Sequence, residues 1–119
     1  MNAQTRKKKT FTKLTIEVRT KPEKLKEFHQ TLLALLPTIR KEKGCLDCRI
    51  SRNVEDEEIF LFSIQWEARE NLEHYMRSGS GSALLGAIEL LSDTARVRIG
   101  RHTPWEGIEI LRKARKKKN

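Results

Sequence analysis

The stretch on which the fold turns is Glu58-Ile59-Phe60-Leu61-Phe62-Ser63-Ile64-Gln65-Trp66. Successive side chains of an extended strand point to opposite faces, so Phe60, Phe62, Ile64 and Trp66 share one face while Ile59 and Leu61 lie on the other. Apolar residues on both sides call for cover on both sides. Immediately upstream, Asn53-Val54-Glu55-Asp56-Glu57 supplies a polar turn, and Cys45 to Arg52 reads as the strand before it. The two strands form a hairpin.

Toward the N-terminus, residues 11 to 19 place Leu14, Ile16 and Val18 on one face and Lys13, Thr15, Glu17 and Arg19 on the other, the pattern of a half-buried strand. Pro22 then suits a first helical turn, and Leu25, Phe28, Leu32, Leu35, Leu36 and Ile39 recur at steps of three and four residues. This amphipathic helix is expected to stop at Gly44, which can take the left-handed cap conformation after the cationic turn of Arg40, Lys41 and Lys43. Beyond the hairpin, Ala68 to Arg77 is a short helix with Leu72 and Met76 on one face. Ser78-Gly79-Ser80-Gly81-Ser82 reads as a flexible break before a second apolar helix, Ala83 to Leu91. Thr94 to Arg101 alternates Ala95, Val97 and Ile99 against Thr94, Arg96 and Arg98, and so makes a fourth strand. Thr103-Pro104-Trp105-Glu106 has the form of a capping box with proline at the first helical position, so a short terminal helix is expected with Trp105, Ile108 and Leu111 on one side.

The order β-α-β-β-α-β is that of a ferredoxin-like α+β domain, an antiparallel sheet with helices on one face. The other face needs cover, and a twofold partner stacked sheet on sheet, giving a dimeric α/β barrel, is the economical solution. The expected organisation is a basic N-terminal tail over 1–10, the ferredoxin-like domain over 11–103, and a short helix with a basic tail over 104–119.

The net charge of +9 is located at the two ends. Residues 1 to 9 carry four basic groups and residues 112 to 119 carry six, with no acid in either run. That leaves 15 Lys and Arg against all 16 Asp and Glu in the body of the chain, a balance of −1. Runs of like charge repel themselves and are solvated and mobile as a rule; the alternative is a weak, nonspecific, salt-sensitive contact of the tails with nucleic acid. No segment approaches the roughly 20 apolar residues of a membrane-spanning helix, and no apolar signal core follows Arg6 to Lys9, so a cytoplasmic location without membrane contact is expected.

Cys45 and Cys48 form a Cys-x-x-Cys. Redox pairs of this spacing draw thiolate stability from a helix N-terminus, whereas this pair follows a helix C-terminus and enters a strand, where residues three apart are expected on opposite faces. Zinc would need two further ligands, and His29, His74 and His102 form no metal-like constellation. Both cysteines are expected to be reduced thiols of the core or strand edge. No metal or cofactor is implied.

Lys21-Pro22-Glu23 opening the long helix, Glu42-Lys43-Gly44-Cys45-Leu46 before strand two, and Trp66-Glu67-Ala68-Arg69-Glu70-Asn71-Leu72 leaving strand three resemble the antibiotic-biosynthesis monooxygenase family over about residues 13 to 100. The resemblance implies a dimeric α+β barrel and a range of activities: cofactor-free quinol or anthrone-type monooxygenation, haem degradation, isomerisation. Many small members carry a His nine residues after the strand-three Trp and a His-Phe pair soon after. Here the ninth residue is Tyr75, His74 lies one position off, and Ser80-Gly81 stands where the pair would be. The haem-degrading branch pairs a strand-one Asn with the Trp and a His on the last core helix; this chain has Thr15, keeps Trp66, and lacks a His between Ala83 and Leu91.

Two functions follow as expectations. One is a cofactor-independent monooxygenase acting on a quinol or polyphenolic aromatic small molecule, with Trp66 and Tyr75 in a pocket between sheet and helices, Thr15 as a further substrate-binding candidate, and Arg49 or Arg98 as partners for a phenolate. The other is a noncatalytic homodimeric binding or regulatory domain whose basic tails meet an acidic partner.

Overall fold

The computed structural model describes residues 11–116. Strand β1 (Thr12–Thr20) lies at the middle of the sheet, antiparallel to β3 (Ile59–Trp66) on one side and to β4 (Ser92–Ile99) on the other. Strand β2 (Cys45–Arg52) pairs with β3, and the two-residue β5 (Glu106–Gly107) pairs with β4, giving the order β2-β3-β1-β4-β5. The register brings residues of like character together. Leu14 stands opposite Ile64 and Ile99, and Ile16 opposite Phe62 and Val97, so one face of the sheet is continuously apolar. A one-residue slip would turn this whole set to the other side, which is why the alternation fixes the pairing.

Helix α1 (Leu25–Arg40) follows a 3-10 turn over Pro22–Lys24 and buries Phe28, Leu32 and Ile39 on that face. The Phe28 ring meets Phe60 edge-on at 5.3 Å between centroids, a favoured aromatic geometry. Gly44 ends the connection at φ +85°, the left-handed conformation expected of it. Helix α2 (Arg69–Arg77) contributes Leu72, Tyr75 and Met76 to the same core, and helix α3 (Gly79–Leu91) contributes Leu84, Leu85, Ile88 and Leu91.

The segment Ser78–Ser82 is not a flexible break. Ser78 is the N-cap of α3: its Oγ accepts from the Gly81 N–H at 3.0 Å and donates to the Tyr75 carbonyl at 2.6 Å. The apolar face of α3 offsets the low helix propensity of Gly79 and Gly81, so packing overrides local preference.

The C-terminal region also departs from expectation. No helix starts at Pro104. Instead Glu106 and Gly107 lie alongside Val97 and Arg96 as β5, and the helix, α4, runs over Glu109–Lys116. The Trp105 ring is the reason: the Arg96 and Arg98 guanidinium groups lie over it at 4.2 and 4.3 Å, holding the chain against β4. Thr103 donates to the Ile99 carbonyl at 2.8 Å rather than capping a helix.

Nor is the basic run from Arg112 wholly a solvated tail. Through Lys116 it is helical, with Leu111 and Ala114 buried and Arg115 donating to the Met76 carbonyl at 2.6 Å. The basic N-terminal tail, residues 1–10, and residues 117–119 lie outside the described residues. Among the described residues no helix is long and apolar enough to cross a membrane.

Candidate functional site

Strand β3 ends at Trp66 on the helix-facing side, and α2 brings Tyr75 against it. Their ring centroids are 5.2 Å apart with planes inclined by 31°. Both side chains have no solvent exposure. Among the described residues the indole Nε1–H of Trp66 is buried without a hydrogen-bond partner, an unusual condition for a donor that costs roughly 1–3 kcal/mol when left unpaired. Tyr75 Oη lies 3.3 Å from Ser80 Oγ and 3.4 Å from the Ser80 carbonyl, both at the long end of the hydrogen-bonding range. Burial pushes the Tyr75 hydroxyl up to about 12, so it is a proton donor, not a base, at neutral pH.

Two thiols complete this corner. The β2–β3 ladder pairs Cys45 with Trp66 and Cys48 with Ile64, with a register shift between Cys45 and Asp47. Leu46 is the extra residue of a bulge, so Cys45 and Cys48 share the helix-facing side instead of pointing apart as simple alternation requires. Burial raises both thiols, Cys48 to about 12, and Cys48 is almost wholly enclosed. Both lie on the strand entered after α1, with the Cys45 N–H donating to the Glu42 carbonyl, and no helix N-terminus supports a thiolate. Among the described residues no group of three metal-ligating side chains converges.

The other three sequence-selected residues lie on the opposite side of the sheet. Arg49 pairs with Ser63, Ser63 with Thr15, and Thr15 with Arg98, so one row crosses four strands on the helix-free face. Arg49 is held by Asp47 at 3.1 Å, and the Arg98 guanidinium stacks on Trp105 with its Nε buried and without a hydrogen-bond partner among the described residues. The sheet therefore separates Arg49 and Arg98 from any ring bound beside Trp66, and neither reaches a phenolate there. The alternation of Arg96 and Arg98 against Val97 already carried that information. The closed packing of Trp66 on Tyr75 also means that the expected open cavity between sheet and helices is filled by these two side chains. Ser80, hidden in a glycine-serine run, is the polar neighbour that sequence reasoning passed over; its signal was Ser78, a capping residue ahead of an apolar helical pattern.

Residues 12–83 match the family described as antibiotic biosynthesis monooxygenase. Among solved structures the chain is similar to a conserved protein from Methanosarcina mazei Go1, with 23% identity, 78% of this chain and 93% of that chain covered, and a TM-score of 0.73. A protein from Pseudomonas aeruginosa superposes with a TM-score of 0.72 at 20% identity, covering 80% of this chain and 96% of that one. A third structure, an antibiotic biosynthesis monooxygenase, gives 0.71 at 20% identity over 78% of this chain and 99% of its own. No curated protein matches the chain. The matched span begins with β1, takes in the hairpin and the Trp66–Tyr75 corner, and ends in α3, and on that match the chain belongs to the antibiotic biosynthesis monooxygenase family.

Proposed function

We propose that this protein is a monooxygenase that oxidises a flat, electron-rich aromatic, a quinol or polyphenol, with dioxygen at the Trp66–Tyr75 corner. The observation that carries the reading is the buried indole N–H of Trp66, which has no acceptor among the described residues while it lies against an aromatic ring. A planar ring inserted beside Trp66 would present a phenolic oxygen to that donor and to the Tyr75 hydroxyl, which would exchange its long contacts to Ser80 for a shorter one.

The chemistry asked of these residues is modest. Two neutral donors stabilise the substrate oxyanion and lower its pKa, and the proton passes to solvent. The anion is electron-rich enough to reduce dioxygen: one oxygen atom is retained on the ring carbon, the other leaves as water with two hydrogens from the substrate, and the product is a quinone. With Tyr75 and Cys48 both raised to about 12, the corner supplies donors and no strong base, so the reaction suits substrates that ionise readily. Access requires the first turn of α3 to yield, because Ser78 and Ser80 close the corner over Tyr75.

The test is oxygen consumption with dihydroxynaphthalene and anthrone-type substrates, without added metal, flavin or haem. Enzyme-dependent uptake with one quinone formed per oxygen supports the reading. Uptake equal to the enzyme-free rate across the panel, with folded protein in the same sample, would replace it with a noncatalytic binding domain.

A further inference from the structure

Helix α4 carries Arg112, Lys113, Arg115 and Lys116 within two turns, and its apolar residues Leu111 and Ala114 are buried against the rest of the domain. Arg115 is tied to the Met76 carbonyl at the end of α2, and Arg112 pairs with Glu89 on α3. These contacts set α4 at a fixed position beside α3 and leave a hollow of about 300 Å³ between them. Ser82, Leu85, Gly86, Arg112, Arg115 and Lys116 line it, with Glu89 its one acid among the described residues. A side chain at Gly86 would meet nothing within 4 Å, so the α3 wall is open to a visitor. Three cations, one hydroxyl and a single carboxylate make an anion-attracting groove, and the cationic run continues in sequence through Lys117 and Lys118. Helix α4 lies beyond the span that matches the family, which ends at Ala83 in the first turns of α3.

We propose that this groove binds the phosphate backbone of a nucleic acid. A helix that lies on a membrane needs a free apolar face to bury among lipids, and α4 has turned its apolar residues inward, leaving cations outward. Repeated phosphates match a row of cations along a helix, and their binding releases condensed counterions. The contact reads no bases: the groove offers guanidinium, ammonium and hydroxyl groups to a backbone, and no aromatic platform.

The experiment is fluorescence anisotropy of the full chain with a labelled DNA duplex of about 20 base pairs, titrated with potassium chloride. With Arg112 already paired to Glu89 and two phosphates neutralised by Arg115 and Lys116, affinity should fall roughly sevenfold between 50 and 150 mM salt. Ser82→Asp places a carboxylate in the groove at the first turn of α3, where a negative charge suits the helix, so the fold is kept. It should weaken binding about fivefold, and Lys116→Glu by at least as much. Lys26→Glu, an exposed charge reversal on α1, should change it less than twofold. No measurable binding at 50 mM salt, or groove variants that bind like Lys26→Glu, would overturn the proposal. Binding to phosphatidylserine vesicles but not to the duplex would overturn it too.

Discussion

Gly81 stands so close to Tyr75 that a Cβ built on it would overlap the Tyr75 carbonyl oxygen and press on the Met76 Cα. The contact is backbone against side chain, and neither atom belongs to a flexible group that can move aside. Gly81→Ala should therefore destabilise the fold by about 1–3 kcal/mol. Gly79→Ala, in the same turn with nothing within 4 Å, should be neutral or slightly stabilising. Urea denaturation of the two variants separates steric closeness from helix propensity, because propensity alone would favour alanine at both sites.

Trp66→Phe removes a ring and the unpartnered N–H together. The lost packing is worth about 2 kcal/mol, and relief of the unsatisfied donor offsets part of it. Turnover on a quinol should drop further, by about 100-fold, if the indole donates to the developing oxyanion. Equal losses in stability and rate would assign Trp66 to packing alone.

The thiol of Cys48 and the hydroxyl of Tyr75, both pushed up to about 12 by burial, have ordinary values near 9.0 and 10.0. Between those ordinary values and 12 the folded chain keeps protons that the unfolded chain has released. Stability from these groups is thus whole below pH 9 and declines as pH rises toward 12. The urea midpoint should fall over that window, and Cys48→Ala should flatten the slope. At pH 8 a thiol reagent should modify half-buried Cys45 well before Cys48.

Truncation should distinguish the two basic ends. Removing residues 112–119 deletes the buried Ala114 and the Arg115 contact to Met76, and should lower the melting temperature by about 5 °C or more. Removing residues 1–9, a run with no apolar periodicity, should leave it unchanged within a degree or so. A scanning fluorimetry comparison decides this directly.

We further propose that a twofold partner stacks on the helix-free face. That face is more polar than alternation in β3 alone implied: Ile59 and Leu61 are its apolar centre, with Leu61 38% exposed, and the Arg96–Glu17 ion pair lies nearby. Leu61→Asp should convert the protein to a monomer in light scattering at micromolar concentration, with a cooperative melt retained. A wild-type monomer under the same conditions would remove the partner from this face.

How far these features could be read in advance depended on whether one physical signal dominated locally. Leu14, Ile16 and Val18 and the Phe60–Trp66 face announced their strands because alternation is decided by burial on one side. Gly44 announced a helix end because few residues tolerate its φ. The bulge at Leu46 was silent, since one inserted residue leaves composition untouched yet reverses the facing of Cys45 relative to Cys48. Thr103-Pro104-Trp105-Glu106 misled because a local capping pattern was outweighed by stacking of Trp105 on two arginines that lie nearby only once β4 has formed. Trp66 and Tyr75 were legible as a pair, but their tight contact was not, because the depth of a closed core depends on every element around it.

The central placement of β1 has a consequence for synthesis. Its two neighbours are β3 and β4, which follow it by some 40 and 70 residues, so both edges of β1 stay open until most of this domain has left the ribosome. During that interval Leu14, Ile16 and Val18 present a β-prone, apolar segment to other nascent chains. Arg6 to Lys9, immediately upstream in sequence, are the kind of flanking charges that oppose such association by repulsion.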